Sequence, residues 1–174
     1  MNNELLIKLK EKDRIVQRKV YEQLAGKLYV ICKRYLKNEE EAEEALADTF
    51  FIIFTKAEQL QNPDVFEGWA KKIAVNQCLQ TLRKKKEMLI SIDDETFVEK
   101  HLADENSEFT FEKDILTLLN YLPEGCRTIF NLYAIEGYPH REIAEMLSIS
   151  EGTTKSQVNF ARKKLQELLQ TQNV

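Results

Sequence analysis

The chain has 174 residues, 43% of them hydrophobic, with 5 glycines and 3 prolines. That supplies apolar material for one or two compact units, and the scarcity of turn formers favours long helices over sheets. The 3 cysteines, Cys32, Cys78 and Cys126, fit neither a zinc spacing nor a closed disulfide set, and the net charge of −4 gives no overall basic character. Inert thiols in a reducing cytosol are expected. No signal peptide is read at the start, and no apolar run approaches the roughly 20 residues that span a bilayer, so a cytoplasmic protein without membrane insertion is expected.

Along the chain, a short helix over 3–11 precedes a long one over 13–36, whose periodic apolar positions are Ile15, Val20, Leu24, Leu28, Ile31 and Tyr35. Residues 39–57 form the next helix. Asn38 is its N-cap, and Ala42, Leu46, Phe50, Ile53 and Ala57 form its stripe. Pro63 interrupts the pattern, and a third long helix runs from about Asp64 to Lys86 with Phe66, Ala70, Ile73, Ala74, Cys78 and Leu82 on one side. Residues 87–108 show no sustained period and read as a flexible acidic linker. Helical pattern resumes over 109–121. Pro123 opens a helix that ends near Gly137; a short helix follows at 140–147, then a turn at Ser148–Ser150 and a last helix over 151–170. The fold class is all-α. Domains are expected over 1–86 and 109–174, the second a four-helix unit containing a helix–turn–helix.

Charge is unevenly placed. Residues 39–48 carry six acids and no base, 69–86 six bases and no acid, and 155–164 four bases and no acid. At 100° per residue, Thr154, Val158, Ala161, Leu165 and Leu168 fall on one stripe of the last helix. Lys155, Ser156, Asn159, Phe160, Arg162 and Lys163 face the other way. An apolar back with a basic, hydrogen-bonding front suits major-groove reading. Lys155 and Asn159 would reach base edges, and Arg162 and Lys163 phosphates. A plain hairpin with a solvated basic face would give Phe160 no reason to stand among bases; here it can contact a thymine methyl. In the third long helix, Lys72, Asn76, Arg83 and Lys86 share a second basic face able to track a phosphate backbone, and the Leu60–Phe66 loop can cup an unstacked base. Trp69 reads as core.

Together EAEEALADTFFIIF (41–54), FEGWAKKIAVNQCLQTLRKKK (66–86) and LPEGCRTIFNLYAIEGYPHREIAEMLSISEGTTKSQVNFARKKL (122–165) resemble the extracytoplasmic-function sigma factors of the sigma-70 family. The resemblance implies a factor that binds bacterial core RNA polymerase and directs promoter-specific initiation. Its first domain would dock on the clamp helices of the largest subunit through Glu43, Glu44 and Asp48. The Trp-containing helix would capture and melt the −10 element, with Ile73 and Asn76 at pocket positions and Lys72, Arg83 and Lys84 on the single strand. Lys155, Ser156, Asn159 and Phe160 match base-facing positions of the −35 reader, whose domain also docks on the polymerase flap. The resemblance further implies an anti-sigma partner. Ala47 stands where the family commonly has Gln, Lys71 where some members carry an aromatic, and Pro139 where a hydroxyl cap is usual.

No catalytic residue, cofactor, metal or small-molecule substrate is expected: His101 and His140 are isolated, and no nucleophile–base pair or phosphate-binding glycine loop is present. The alternative is a helix–turn–helix regulator that binds operators without joining polymerase. Against it, residues 1–86 show no alternating strand–helix pattern.

Overall fold

The computed structural model describes residues 2–92 and 115–170, and every element among them is helical. The chain divides into two compact units, Met1–Thr96 and Phe97–Val174.

In the first unit α1 (Asn3–Lys10), α2 (Arg14–Tyr35), α3 (Glu39–Lys56) and α4 (Phe66–Ile92) follow one another, with 3-10 turns at Ala57–Gln59 and Pro63–Val65. Helix starts are set by side chains that satisfy the first free N–H groups. Asn2 accepts from the Leu5 N–H, Asp13 from those of Ile15 and Val16, and Asn38 from that of Glu41. The acids Glu39, Glu40 and Glu41 sit at the positive end of the α3 dipole. Helices α2, α3 and α4 pack pairwise, and α1 lies against α2. Their shared core holds Leu24, Leu28, Ile31 and Tyr35 of α2, Ala42, Phe50 and Ile53 of α3, and Ala70, Ala74, Val75 and Cys78 of α4. Thr49 is buried among them, its hydroxyl donating to the Ala45 carbonyl at 2.6 Å.

Two details differ from the sequence reading. Ile15 is 69% exposed and Val16 is buried instead. Counting back from Leu24 in steps of four reaches Val20 and Val16, so Ile15 lies about 100° off the stripe. Helix α4 also runs past Lys86 to Ile92; Glu87–Ile92 contains no glycine or proline to stop it. The remainder of the expected linker, 93–108, and the expected helical start at 109–114 lie outside the described residues.

The second unit contains α5 (Ile115–Asn120), α6 (Glu124–Phe130), α7 (His140–Leu147) and α8 (Glu151–Gln170). Helix α6 does not end at Phe130 but continues through a π-helical turn, Asn131–Ile135, in which the Glu136 N–H donates to the Asn131 carbonyl five residues back. Gly137 then takes φ +79, the left-handed conformation that glycine adopts without steric cost. Leu119, Leu122, Cys126 and Ala161 form a core joined by Phe130 and Leu165. Leu132, Ile143 and Val158 are fully enclosed, and Ala144 is buried where α7 meets α8. The buried Arg127 of α6 donates to the side-chain oxygen of Asn120 at the end of α5 at 3.1 Å.

The α7–α8 turn has two opposing residues. Ser148 ends α7 at φ +55, ψ +46, a left-handed position that strains any side chain. Its replacement by glycine is expected to raise stability by about 0.5–1 kcal/mol in chemical denaturation. Two residues on, the Ser150 hydroxyl accepts from the Thr153 N–H at 3.0 Å and so caps α8, as the sequence indicates. Ser150→Ala is expected to cost about 1 kcal/mol in the same measurement. A shared sign for the two substitutions would contradict this account of the turn.

Candidate nucleic-acid and partner interfaces

On α3, the three acids singled out in the sequence, Glu43, Glu44 and Asp48, are all exposed. The structure adds a residue that sequence reasoning missed. Phe51 is 68% exposed and lies at helical spacing from Ala47 and Asp48. Its neighbour Phe50 is buried, with ring centroids 4.7 Å from Tyr21 and 5.7 Å from Phe54. A large aromatic thus stands in water beside the exposed acids of α3.

On α4, Lys72, Asn76, Arg83 and Lys84 are exposed, as a backbone-tracking face requires. Ile73 is not on that surface: at 9% exposure it belongs to the core, so it can support a base pocket only from beneath. Not every lysine of the basic segment is equally available. Lys71 pairs with Glu67 at 3.3 Å, and Lys27 of α2 reaches the same carboxylate at 3.1 Å. These hydrogen bonds, Lys27 first, hold the Glu67 carboxyl below its usual range. Lys85 reaches Glu41 of α3 at 2.9 Å, tying the basic end of α4 to the acidic start of α3.

The Leu60–Phe66 loop is anchored at both ends, since Leu60 and Phe66 are buried. Between them the Asn62 side chain accepts from the Asp64 N–H at 2.9 Å, and Val65 stands 53% exposed. Beside the loop is a recess of about 230 Å³ lined by Gln23, Leu24, Pro63, Asp64, Phe66 and Glu67. It is smaller than the roughly 300–1,000 Å³ usual for small-molecule sites. Trp69 is half-buried, its ring centroid 6.1 Å from that of Phe66.

On α8, Lys155, Ser156, Asn159, Phe160, Arg162 and Lys163 are all exposed, and the opposite stripe of Thr154, Val158 and Ala161 is buried. Phe160 keeps 49% of its surface in water. Three of the six have partners that the sequence did not disclose. Lys155 pairs with Glu151 at 2.7 Å, the Ser156 hydroxyl donates to the Thr153 carbonyl at 2.9 Å, and Arg162 lies over the Tyr133 ring at 5.6 Å. The Lys155 hydrogen bond holds the Glu151 carboxyl below its usual range.

The cysteines sit in the cores. Burial pushes the Cys126 thiol up from 9.0 to about 11, and a hydrogen bond with the free thiol of Cys32, together with burial, pushes Cys78 up further. None of the three is expected to react with iodoacetamide at pH 8 until the chain unfolds; rapid labelling of folded protein would contradict their burial. Below pH 9.0 both the folded and the unfolded chain hold the Cys126 proton and stability is full; above it the unfolded chain releases that proton first. The contribution of this thiol is lost as pH rises towards about 11.

Two all-helical units, one with a basic helix–turn–helix and one with adjacent acidic and basic faces, define a DNA-binding transcription protein. Sigma-70 region 2 matches residues 20–87, and Sigma-70, region 4 matches residues 112–165. The ECF RNA polymerase sigma factor SigE of Mycolicibacterium smegmatis is 28% identical over 152 residues, 84% of this chain; the alignment spans 59% of that relative's length. The sigma factor SigV of Bacillus subtilis is 27% identical over 78% of this chain and 80% of its own. Among solved structures, the sigma factor RpoE in complex with the anti-sigma factor NepR from Bartonella quintana superposes with TM-score 0.55 at 24% identity, covering 88% of this chain and 96% of that one. CnrH, in complex with the cytosolic domain of CnrY, gives TM-score 0.52 at 18% identity over 96% of both chains. The chain belongs to the sigma-70 family, in its extracytoplasmic-function group, whose members direct promoter-specific transcription initiation. Among the described residues no helix is long and apolar enough to cross a membrane.

Proposed function

We propose that this chain joins core RNA polymerase through α3 and brings two DNA-reading surfaces to a promoter. The acidic face docks on the clamp helices of the largest subunit through Glu43, Glu44 and Asp48, with Phe51 as its apolar anchor. Lys72, Asn76, Arg83 and Lys84 of α4 hold the opened −10 strand, over a floor to which Ile73 contributes. On α8, Lys155, Ser156, Asn159 and Phe160 read the −35 element in the major groove while Arg162 and Lys163 grip its phosphates. The second unit also meets the polymerase flap. Residues 1–86 and 109–174 act as the two modules, and the acidic stretch between them sets their effective concentration once both are on polymerase. The protein works in the cytoplasm, performs no catalytic step itself, and is held in reserve by an anti-sigma partner, in keeping with the complex of RpoE with the anti-sigma factor NepR.

The observation that carries this reading is the acidic face of α3 with Phe51 exposed in it. An operator-binding regulator has no use for such a surface. The negative net charge serves the same end, since affinity for random DNA scales with the positive contacts available.

The test is gel filtration of purified protein with bacterial core polymerase, followed by transcription from promoter DNA. Co-elution and promoter-directed transcripts are expected. Folded protein that elutes apart from polymerase would transfer the assignment to an operator-binding regulator.

A further inference from the structure

We infer that Tyr133 is a positioning residue for the −35 contact: it holds Arg162 in place for a backbone phosphate before DNA arrives. The inference rests on the α8 reading above and concerns residues outside the reading face.

Four side chains from three elements make the arrangement. Tyr133 comes from the π-helical turn after α6, His140 from the first position of α7, and Thr154 and Arg162 from α8. The Arg162 guanidinium carbon lies 5.6 Å from the centre of the Tyr133 ring. The His140 ring stacks on Tyr133 with centroids 4.2 Å apart and planes 14° from parallel. His140 Nδ1 lies within hydrogen-bond distance of the Thr154 hydroxyl at 3.1 Å, and that hydroxyl also reaches the Glu151 carbonyl at 2.8 Å. Thr154 is fully buried, so the chain of contacts ends on a fixed point of the α8 backbone.

The consequence for Arg162 is entropic. An exposed arginine loses rotamer freedom when it grips a phosphate, and that loss weakens binding. A guanidinium already resting on an aromatic ring has surrendered part of that freedom in the free protein. Arg162 remains exposed, so its planar fork of N–H donors stays open to a phosphate. Lys163, next along the exposed face, shows no such support among the described contacts. The two phosphate-gripping residues therefore differ in kind: one is braced, the other is a flexible point charge.

The experiment measures binding of the 174-residue chain to a labelled random-sequence DNA duplex by fluorescence anisotropy at low ionic strength, where phosphate contacts are strongest. Tyr133→Leu is expected to weaken binding about two- to fivefold, and Tyr133→Phe, which keeps the ring, to restore it. In an Arg162→Gln background Tyr133→Leu should have no further effect. If Arg162→Gln weakens binding while Tyr133→Leu alone binds as wild type, the brace is overturned and the α8 reading stands. If a combined Asn159→Ala, Arg162→Gln, Lys163→Gln variant binds as wild type, α8 is not the DNA face and both fall. A second readout needs no variant. In the NMR spectrum of the wild-type chain the Arg162 side-chain protons are expected to be shifted by the Tyr133 ring current. Random-coil positions for those protons would overturn the brace even if Tyr133→Leu failed to fold.

Discussion

Combined replacement of Glu43, Glu44 and Asp48 by lysine is expected to abolish co-elution with core polymerase, a loss of about a hundredfold or more in affinity. Reversing three charges on a docking face removes three attractions and puts three repulsions in their place. The fold should not notice. All three residues are exposed, and the acids that complement the start of α3, Glu39, Glu40 and Glu41, are untouched. Surface substitutions of this kind cost within about 0.5 kcal/mol each. The measurement is gel filtration with core polymerase beside a thermal melt of the free variant. A folded variant that still co-elutes would remove α3 from the docking surface.

The second large effect separates a buried from an exposed apolar side chain on neighbouring helices. Leu28 is wholly enclosed at the centre of α2, and Phe51 on α3 is 68% exposed. Leu28→Ala deletes packed atoms and leaves a cavity, so it is expected to cost about 2–5 kcal/mol of stability in urea titration. Phe51→Ala deletes a larger side chain but little buried surface. It should leave the urea midpoint within error and weaken polymerase binding about tenfold. Equal stability costs for the two substitutions would show that Phe51 packs on the unit rather than on a partner.

The helices were legible because their signals are local. Apolar spacing placed α2, α3, α4, α7 and α8, and the side chains of Asn38 and Ser150 marked two of their starts. The basic faces of α4 and α8 were legible for the same reason: angular position on a helix is fixed by chain spacing. Some of what was missed depends on information that spacing does not carry. The stripe through Ala42, Leu46 and Ile53 placed Phe50 inward, but the apolar run FFIIF does not disclose that Phe51 beside it stays in water. At Ile15 and Val16 the signal was present, since spacing back from Leu24 through Val20 singles out Val16, and the sequence reading took the wrong one of the two. The π-helical turn has no residue signature, and the contact it permits joins Tyr133 to Arg162 across 29 positions of sequence. The pocket position of Ile73 came from the family resemblance, whereas its spacing with Ala70 and Ala74 already put it on the core side of α4, where it lies.

The pairing of Lys155 with Glu151 bears on how binding responds to salt. A lysine that meets DNA ordinarily displaces a condensed counterion, and the gain from that release falls as salt rises. Lys155 must first leave Glu151, and the vacated carboxylate then gathers a cation of its own. Release at the phosphate is offset by uptake at the protein, so this lysine adds little to the ionic-strength dependence. Lys71 with Glu67 and Lys85 with Glu41 stand in the same relation on the first unit. If α4 and α8 meet DNA as proposed, the number of basic residues on them exceeds the number of ions exchanged. Recognition should vary less steeply with cellular ionic strength than the chain's lysine and arginine content implies.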